Sequence, residues 1–269
     1  MPGTVTIPVR QTAYQPGTTA AMRAVPVELP VGIEINGLAY AVMMATPCDL
    51  ADFVTGFLLS EGLATRAEIG EVLLHPVLDG AGWVARVNLP AERLGPIMER
   101  ARLRTGDSSC GICGIESVEA ALRPLPPLAA RCTVAPAAIR AALAALREGQ
   151  VLGQATAATH AAAFARADGT LAVLREDVGR HNALDKVIGA LARAGIDPAG
   201  GFLLVTSRCS YELVEKTVRA GCPLLVAISA PTDLAVRRAA AAGLALAVIA
   251  RDDTMTWAAG PQMEVSHGL

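Results

Sequence analysis

Two thiols stand three residues apart in the run Ser108-Ser109-Cys110-Gly111-Ile112-Cys113-Gly114. The thiolate is the nucleophile and the metal ligand, and its pKa falls beside a cation or at a helix N-terminus. Arg102 and Arg104 precede the pair, and the sequence predicts a helix from about Ile115. Gly111 and Gly114 permit backbone conformations that let a partner approach closely. Three chemistries compete for such a pair. Structural zinc needs four ligands; no second close pair exists, so His181 or Cys132 would have to complete the set. A thioredoxin-like dithiol sits at a strand-to-helix junction, whereas this pair follows a predicted helix and loop. A persulfide carrier needs one reachable, nucleophilic cysteine. The residues alone leave carrier and redox protein both open.

A second concentration of chemistry is Arg175-Glu176-Asp177-Val178-Gly179-Arg180-His181-Asn182-Ala183-Leu184-Asp185-Lys186, with seven charged or His residues in twelve. It joins an apolar strand to a helix. Arg180, His181 and Asn182 then fall at the helix start, where free N–H groups favour an anion. A solvated loop has the same composition, and the residues alone leave both readings open. His160 stands among alanines, a setting more typical of a hydrogen-bonded core histidine than of a ligand. Further along, Ser207-Arg208, Lys216, Ser229-Ala230-Pro231-Thr232 and Arg251 follow predicted strands. Arg, Lys, Ser and Thr suit phosphate. No GxGxxG or P-loop pattern is present, which weakens dinucleotide-fold and NTPase readings.

These groups need a scaffold that brings them together. Asn36-Gly37 marks a tight turn in a hairpin spanning Val25 to Ala45. Asp49 is expected to cap a helix through about Leu59, with Phe53, Phe57 and Leu58 on one face. Strands are expected at 71–76 and 83–89 and a helix at 91–103. Arg123-Pro124-Leu125-Pro126-Pro127-Leu128 breaks the chain, and Ala135–Glu148 is a helix of strong formers. The second half alternates apolar strands (171–174, 202–206, 224–228, 244–249) with helices (182–194, 211–220, 232–242) that end at Gly195, Gly221 and Gly243. This rhythm predicts an α/β fold with a mixed, largely parallel sheet flanked by helices. Ligands of such sheets bind beyond the carboxyl ends of the strands. Residues 1–24 are expected to be irregular, 25–122 to form a smaller N-terminal α+β part ending in the cysteine loop, and 123–269 to form the C-terminal αβ part.

Composition bounds the rest. Hydrophobic residues make up 52% of 269, which supports a packed core rather than disorder. The net charge of −2 gives no bulk attraction to nucleic acid or an anionic membrane. The longest apolar run, Ala239 to Ala250, has 12 residues, against about 20 for a membrane span. Residues 1–10 lack a signal-peptide pattern. The expectation is a cytoplasmic protein. Six cysteines are too few for a disulfide scaffold. Cys48, Cys132, Cys209 and Cys222 read as buried small residues, with Cys209 held open.

Three segments together resemble the FdhD family of sulfur carriers needed for formate dehydrogenase activity: 108–116, 175–186 and 207–216. Weaker agreement extends from Thr46-Pro47-Cys48-Asp49-Leu50 and 56–62 to 230–232 and 244–251. The resemblance implies a fold like that of cytidine deaminases. It also implies that Cys110 accepts persulfide sulfur from a cysteine desulfurase, with Cys113 assisting. The sulfur would pass to a molybdenum cofactor bearing two pyranopterin guanine dinucleotides, bound as cargo and destined for a formate dehydrogenase apoenzyme. No resident metal is expected, and a homodimer is. The family's cofactor contact falls on Ile249, Ala250, Arg251, Asp252, Asp253 and Thr254; Arg180, His181, Asn182, Ser207, Arg208 and His160 complete the candidate set. The chain departs from the family pattern at Cys48, at Ala157-Ala158, and at Asp253 and Thr254, which replace a glycine and a basic residue. Zinc deaminase chemistry needs His-x-Glu followed by Pro-Cys-x-x-Cys; here Ala161 and Ala162 follow His160, and the Cys pair lies upstream.

Overall fold

The computed structural model describes residues 2–12, 18–103, 124–131 and 133–260. Cys110, Cys113 and Cys132 therefore lie outside the described residues.

The chain opens with β1 (Thr4–Thr12) and β2 (Thr18–Pro26), which pair antiparallel from Thr4↔Pro26 to Thr12↔Thr18. This corrects the expectation of an irregular 1–24 segment. The two strands form a separate two-stranded ribbon.

The next strands, β3 (Leu29–Ile35) and β4 (Leu38–Ala45), make the hairpin expected from Asn36-Gly37. Asn36 and Gly37 both have positive φ, 50° and 78°, as this tight turn demands. With β5 (Leu73–Val77) and β6 (Gly82–Val87) they form a four-stranded sheet in the order β4-β3-β6-β5, β3 and β6 being parallel. Helix α1 (Leu50–Ser60) covers this sheet; its Phe53, Val54, Phe57 and Leu58 are buried with Val31, Ile33, Ile35 and Val87. Asp49 precedes α1 but makes no capping bond: it takes a left-handed φ of 55°, and its carboxylate lies 3.5 Å from Arg175. Helix α2 (Leu94–Leu103) follows.

The second half contains α3 (Pro136–Gly149), α4 (Val151–Thr156), β7 (His160–Arg166), β8 (Leu171–Asp177), α5 (Arg180–Ala194), β9 (Gly201–Val205), α6 (Tyr211–Arg219), β10 (Leu224–Ala227), α7 (Asp233–Ala242), β11 (Ala245–Val248) and β12 (Thr256–Ala259). The strands form one sheet in the order β12-β11-β10-β9-β7-β8. Only β9, β10 and β11 pair in parallel; β7 pairs antiparallel with both β8 and β9, so β8 runs in the direction of β9, and β12 pairs antiparallel with β11. The sheet is mixed, as expected, but parallel pairing is confined to three of its strands. The strand that makes the difference is β7, which the sequence reading did not assign.

Successive residues of the parallel strands face opposite layers. Leu203, Val205, Leu225 and Ala227 pack on the side of α5, α6 and α7, with Leu184, Leu213 and Ala239. Phe202, Leu204, Leu224 and Val226 pack on the side of α3, with Ile139, Leu143 and Leu146. Burial on both faces explains why these strands read as continuous apolar runs.

The two halves meet where α1 crosses α5. A Cβ on Gly56 would lie 1.7 Å from the Asp185 carbonyl oxygen, and one on Gly189 would lie 1.9 Å from the Asp52 carbonyl oxygen. The helices touch backbone to backbone, which only glycine permits.

Candidate functional site

The carboxyl ends of β8, β9, β10 and β11 and the start of β7 share one edge of the six-stranded sheet, because β7 runs against its neighbours. His160 pairs with Asp177, and the residues after β9, β10 and β11 continue along the same edge. Backbone hydrogen bonds lace this edge together: Thr206 N to Ala161 O (3.0 Å), Cys209 N to Ala230 O (3.1 Å), Thr232 N to Cys209 O (3.0 Å) and Ile249 N to Ser229 O (3.3 Å). A rigid platform results, and most of the described candidate residues stand on it.

Two histidines sit near its β8 side. His160 is half-buried; burial lowers its pKa, and the nearby Arg180 lowers it further. His181 lies at the first turn of α5, and its pKa is pulled down to about 4, first by burial and then by Arg180, against the opposing pull of Glu212. Its Nε2 is buried without a hydrogen-bond partner. The Glu212 carboxylate is 3.8 Å away, too far for a hydrogen bond. The imidazole is therefore neutral at pH 7. Ser207 is buried and its hydroxyl donates to the Arg208 carbonyl (3.1 Å), while Arg208 is exposed.

At the other side, Ile249 takes a φ of 51° and is 43% exposed. A β-branched residue in the left-handed region is a genuine outlier, held only by its surroundings. Ala250 is buried. Arg251 is tied to protein carbonyls: its guanidinium donates to Ile228 O and to Ala250 O, and its N–H donates to Thr254 O (2.8 Å). Asp252 makes a bidentate pair with Arg147 of α3. Asp253 and Thr254 are exposed and hydrogen-bonded to each other (3.3 Å).

Much of the 175–186 motif turns inward instead. Lys186 is fully buried, with Nζ 2.7 Å from Asp177 Oδ2, and it donates to the carbonyls of Thr46 (3.0 Å) and Glu176 (3.2 Å). Asn182 is buried, its amide donating to Met44 O (2.8 Å) and Asp177 Oδ1 (3.0 Å). Of the three residues predicted to greet a ligand at the helix start, only Arg180 and His181 retain accessible surface of their own. Glu176 accepts from the N–H groups of Leu152 (2.8 Å) and Gly153 (2.7 Å), so it holds the start of α4. Arg175 pairs with the Asp52 carboxylate of α1 (2.8 Å).

Lys216, counted among the strand-end cations, is also internal. Its ammonium contacts both Asp185 oxygens (3.0 Å each), Glu61 (3.0 Å) and the Ser60 hydroxyl (2.8 Å). Burial alone would lower its pKa, but the two carboxylates outweigh burial and raise it. Cys209 and Cys222 are buried. Burial pushes the Cys209 thiol up to about 12, which excludes it as a thiolate nucleophile at neutral pH. Cys48 is half-buried, and burial raises its pKa as well. Among the described residues, no three His, Cys, Asp or Glu side chains are grouped to hold a metal ion.

The family model for FdhD/NarQ matches residues 26–263. The chain belongs to the FdhD/NarQ family. It is 46% identical over 263 residues to the sulfur carrier protein FdhD of Xanthomonas euvesicatoria pv. vesicatoria (strain 85-10), covering 97% of this chain and 92% of that protein. It is 44% identical over 234 residues to the sulfur carrier protein FdhD of Variovorax paradoxus (strain S110), covering 86% and 83%. A crystal structure from Desulfotalea psychrophila, described as that of a formate dehydrogenase accessory protein, superposes with a TM-score of 0.76. The match covers 97% of this chain and 99% of that one at 24% identity. The FdhD/NarQ match begins at residue 26, so nearly all of the β1–β2 ribbon lies outside it. No helix among the described residues is long and apolar enough to cross a membrane.

Proposed function

We propose that this FdhD/NarQ member is a sulfur carrier for the maturation of formate dehydrogenase. It accepts sulfur as a persulfide on Cys110 from a cysteine desulfurase and passes it to a molybdenum cofactor bearing two guanine dinucleotides. The observation that carries this reading is the 46% identity, over 97% of the chain, to a protein named as a sulfur carrier. The Cys110 and Cys113 assignment rests on the family motif, since both lie outside the described residues. Cys110 carries the sulfur, and Cys113 assists its transfer.

The platform supports the second half of the proposal. A guanine dinucleotide offers phosphates and a flat base, which cations and backbone N–H groups at strand ends suit. Arg180 and Arg208 supply cations at this edge, and neutral His160 and His181 supply hydrogen-bonding groups without adding charge. Segment 249–254 supplies the exposed residues Asp252, Asp253 and Thr254 beside the strained turn at Ile249.

The test is transfer of radiolabelled cysteine sulfur from an active desulfurase to the purified protein, followed by non-reducing electrophoresis beside Cys110→Ala and Cys113→Ala. Label on wild type and on Cys113→Ala that is absent from Cys110→Ala is the expected result. Label that persists on Cys110→Ala refutes the assignment of the carrier residue. No label on any form would favour a cofactor-binding chaperone that moves no sulfur.

A further inference from the structure

Where Asp252 of segment 249–254 meets α3 lies an open surface cavity of about 630 Å³, lined otherwise by one face of α3 that includes Arg140, Ala144, Arg147 and Glu148. Arg140 and Arg147 are seven residues apart on α3, two helical turns, so both guanidiniums project from the same face. The alanines between them leave the floor of the cavity low.

Here the Asp252 carboxylate is gripped bidentately by Arg147. A guanidinium binds carboxylate and phosphate with the same fork of N–H donors. The pair is exposed, at 50% for Arg147 and 71% for Asp252, so solvent screens it and little free energy opposes its opening. Arg251, the cation of the segment itself, is engaged with backbone carbonyls.

We propose that this cavity is a phosphate-binding subsite. In it Arg147, helped by Arg140, receives a phosphate group of the ligand in place of the Asp252 carboxylate. Asp252 is then an internal competitor: it neutralises Arg147 while no ligand is bound and swings out when a phosphate enters. Glu148 also lines the cavity, so the subsite is charge-balanced in the closed state and becomes cationic around Arg147 only once Asp252 leaves. The proposal rests on the guanine-nucleotide reading above for the identity of the ligand, but not for the chemistry of the subsite.

The experiment is calorimetric titration of the full chain with GDP, guanosine and inorganic pyrophosphate, using wild type, Asp252→Asn, Arg147→Gln and the double variant. Both positions are exposed, and thermal melts confirm that each variant is folded. Asp252→Asn is expected to bind GDP about threefold tighter or more, since the competitor for Arg147 is gone. Arg147→Gln is expected to bind about tenfold weaker, and the double variant should behave like Arg147→Gln. Guanosine should respond to neither substitution. If all four proteins bind GDP equally, the subsite is wrong while the guanine-nucleotide reading stands. If none binds GDP but Asp252→Asn binds pyrophosphate in an Arg147-dependent way, the subsite stands and the guanine reading falls. If neither ligand binds any form, both are overturned.

Discussion

Replacing Gly189 with alanine tests the backbone contact that joins the two halves. The added Cβ would lie 1.9 Å from Asp52 O, 2.7 Å from Asp52 C and 2.7 Å from Gly56 N. All three are backbone atoms of α1, so no side chain can rotate away. Relief requires α1 and α5 to separate by on the order of 1 Å, against a usual axis spacing of about 8–10 Å. That movement also stretches polar contacts crossing the interface, including Ser60 Oγ to Asp185 Oδ1 at 2.6 Å and Lys216 Nζ to Ser60 Oγ at 2.8 Å. Overpacking a core costs about 1–3 kcal/mol even where side chains yield, and loosening a buried hydrogen bond adds about 1–3 kcal/mol. Alanine's better helix propensity returns about 1 kcal/mol. The net expectation is a loss of about 2 kcal/mol or more, seen as a fall of about 4–8 °C in Tm. Differential scanning fluorimetry beside Gly200→Ala, where an added Cβ meets nothing within 4 Å, is the measurement. A Gly189→Ala melting point within a degree of wild type would show that the helices do not meet backbone to backbone.

The buried charges give two further predictions. Lys216→Met leaves the buried Asp185 with the Ser60 hydroxyl as its remaining close partner. It should cost about 3–5 kcal/mol, read as a lowered urea midpoint, and the loss should shrink at pH values where Asp185 is protonated; a midpoint independent of pH would refute that account. His181 has a folded pKa of about 4, below its ordinary value of 6.5. The unfolded chain thus binds its proton first, and stability falls as pH drops from 6.5 towards 4. His181→Asn should flatten that part of the urea-midpoint profile, and an unchanged slope would place the titration elsewhere.

The second half of the fold was legible because its parallel strands are apolar on both faces and its helices end at Gly195, Gly221 and Gly243. Two of these glycines, Gly195 and Gly243, occupy left-handed caps, and Thr232 caps α7 with its side chain. The β7 strand was hidden because His160–Arg166 is mostly alanine, a helix former. Its place between β8 and β9 is set by packing: small side chains let layers on both sides close over it. The ribbon was missed although Val5, Ile7 and Val9 alternate, since Pro8 within the run argues against a strand. At the site, the spacing of 175–186 located the strand-to-helix junction but could not assign its charges. Whether Asp177, Asn182, Asp185 and Lys186 face a ligand or the interior depends on Met44, Thr46 and Ser60, more than a hundred residues earlier. Arg147 carried no sequence signal, because a lone arginine on an amphipathic helix looks like a solvated one.

The crossing of α1 and α5 also has a consequence in time. Ser60 and Asp185 are 125 residues apart in the chain, which a ribosome adding about 5–20 residues per second makes in roughly 6–25 s. Throughout that interval α1 exists without the helix that covers Gly56 and without Arg175 and Arg193 to pair with Asp52. The four-stranded sheet can close over Phe53 and Phe57 early, since all its strands lie within residues 29–87. The opposite face of α1 must wait, exposed, until the 175–186 motif emerges. Synthesis of this motif is thus the moment at which the nascent chain becomes a single cooperative unit, and a chain stalled before it presents a face of α1 that holdase chaperones and proteases can engage.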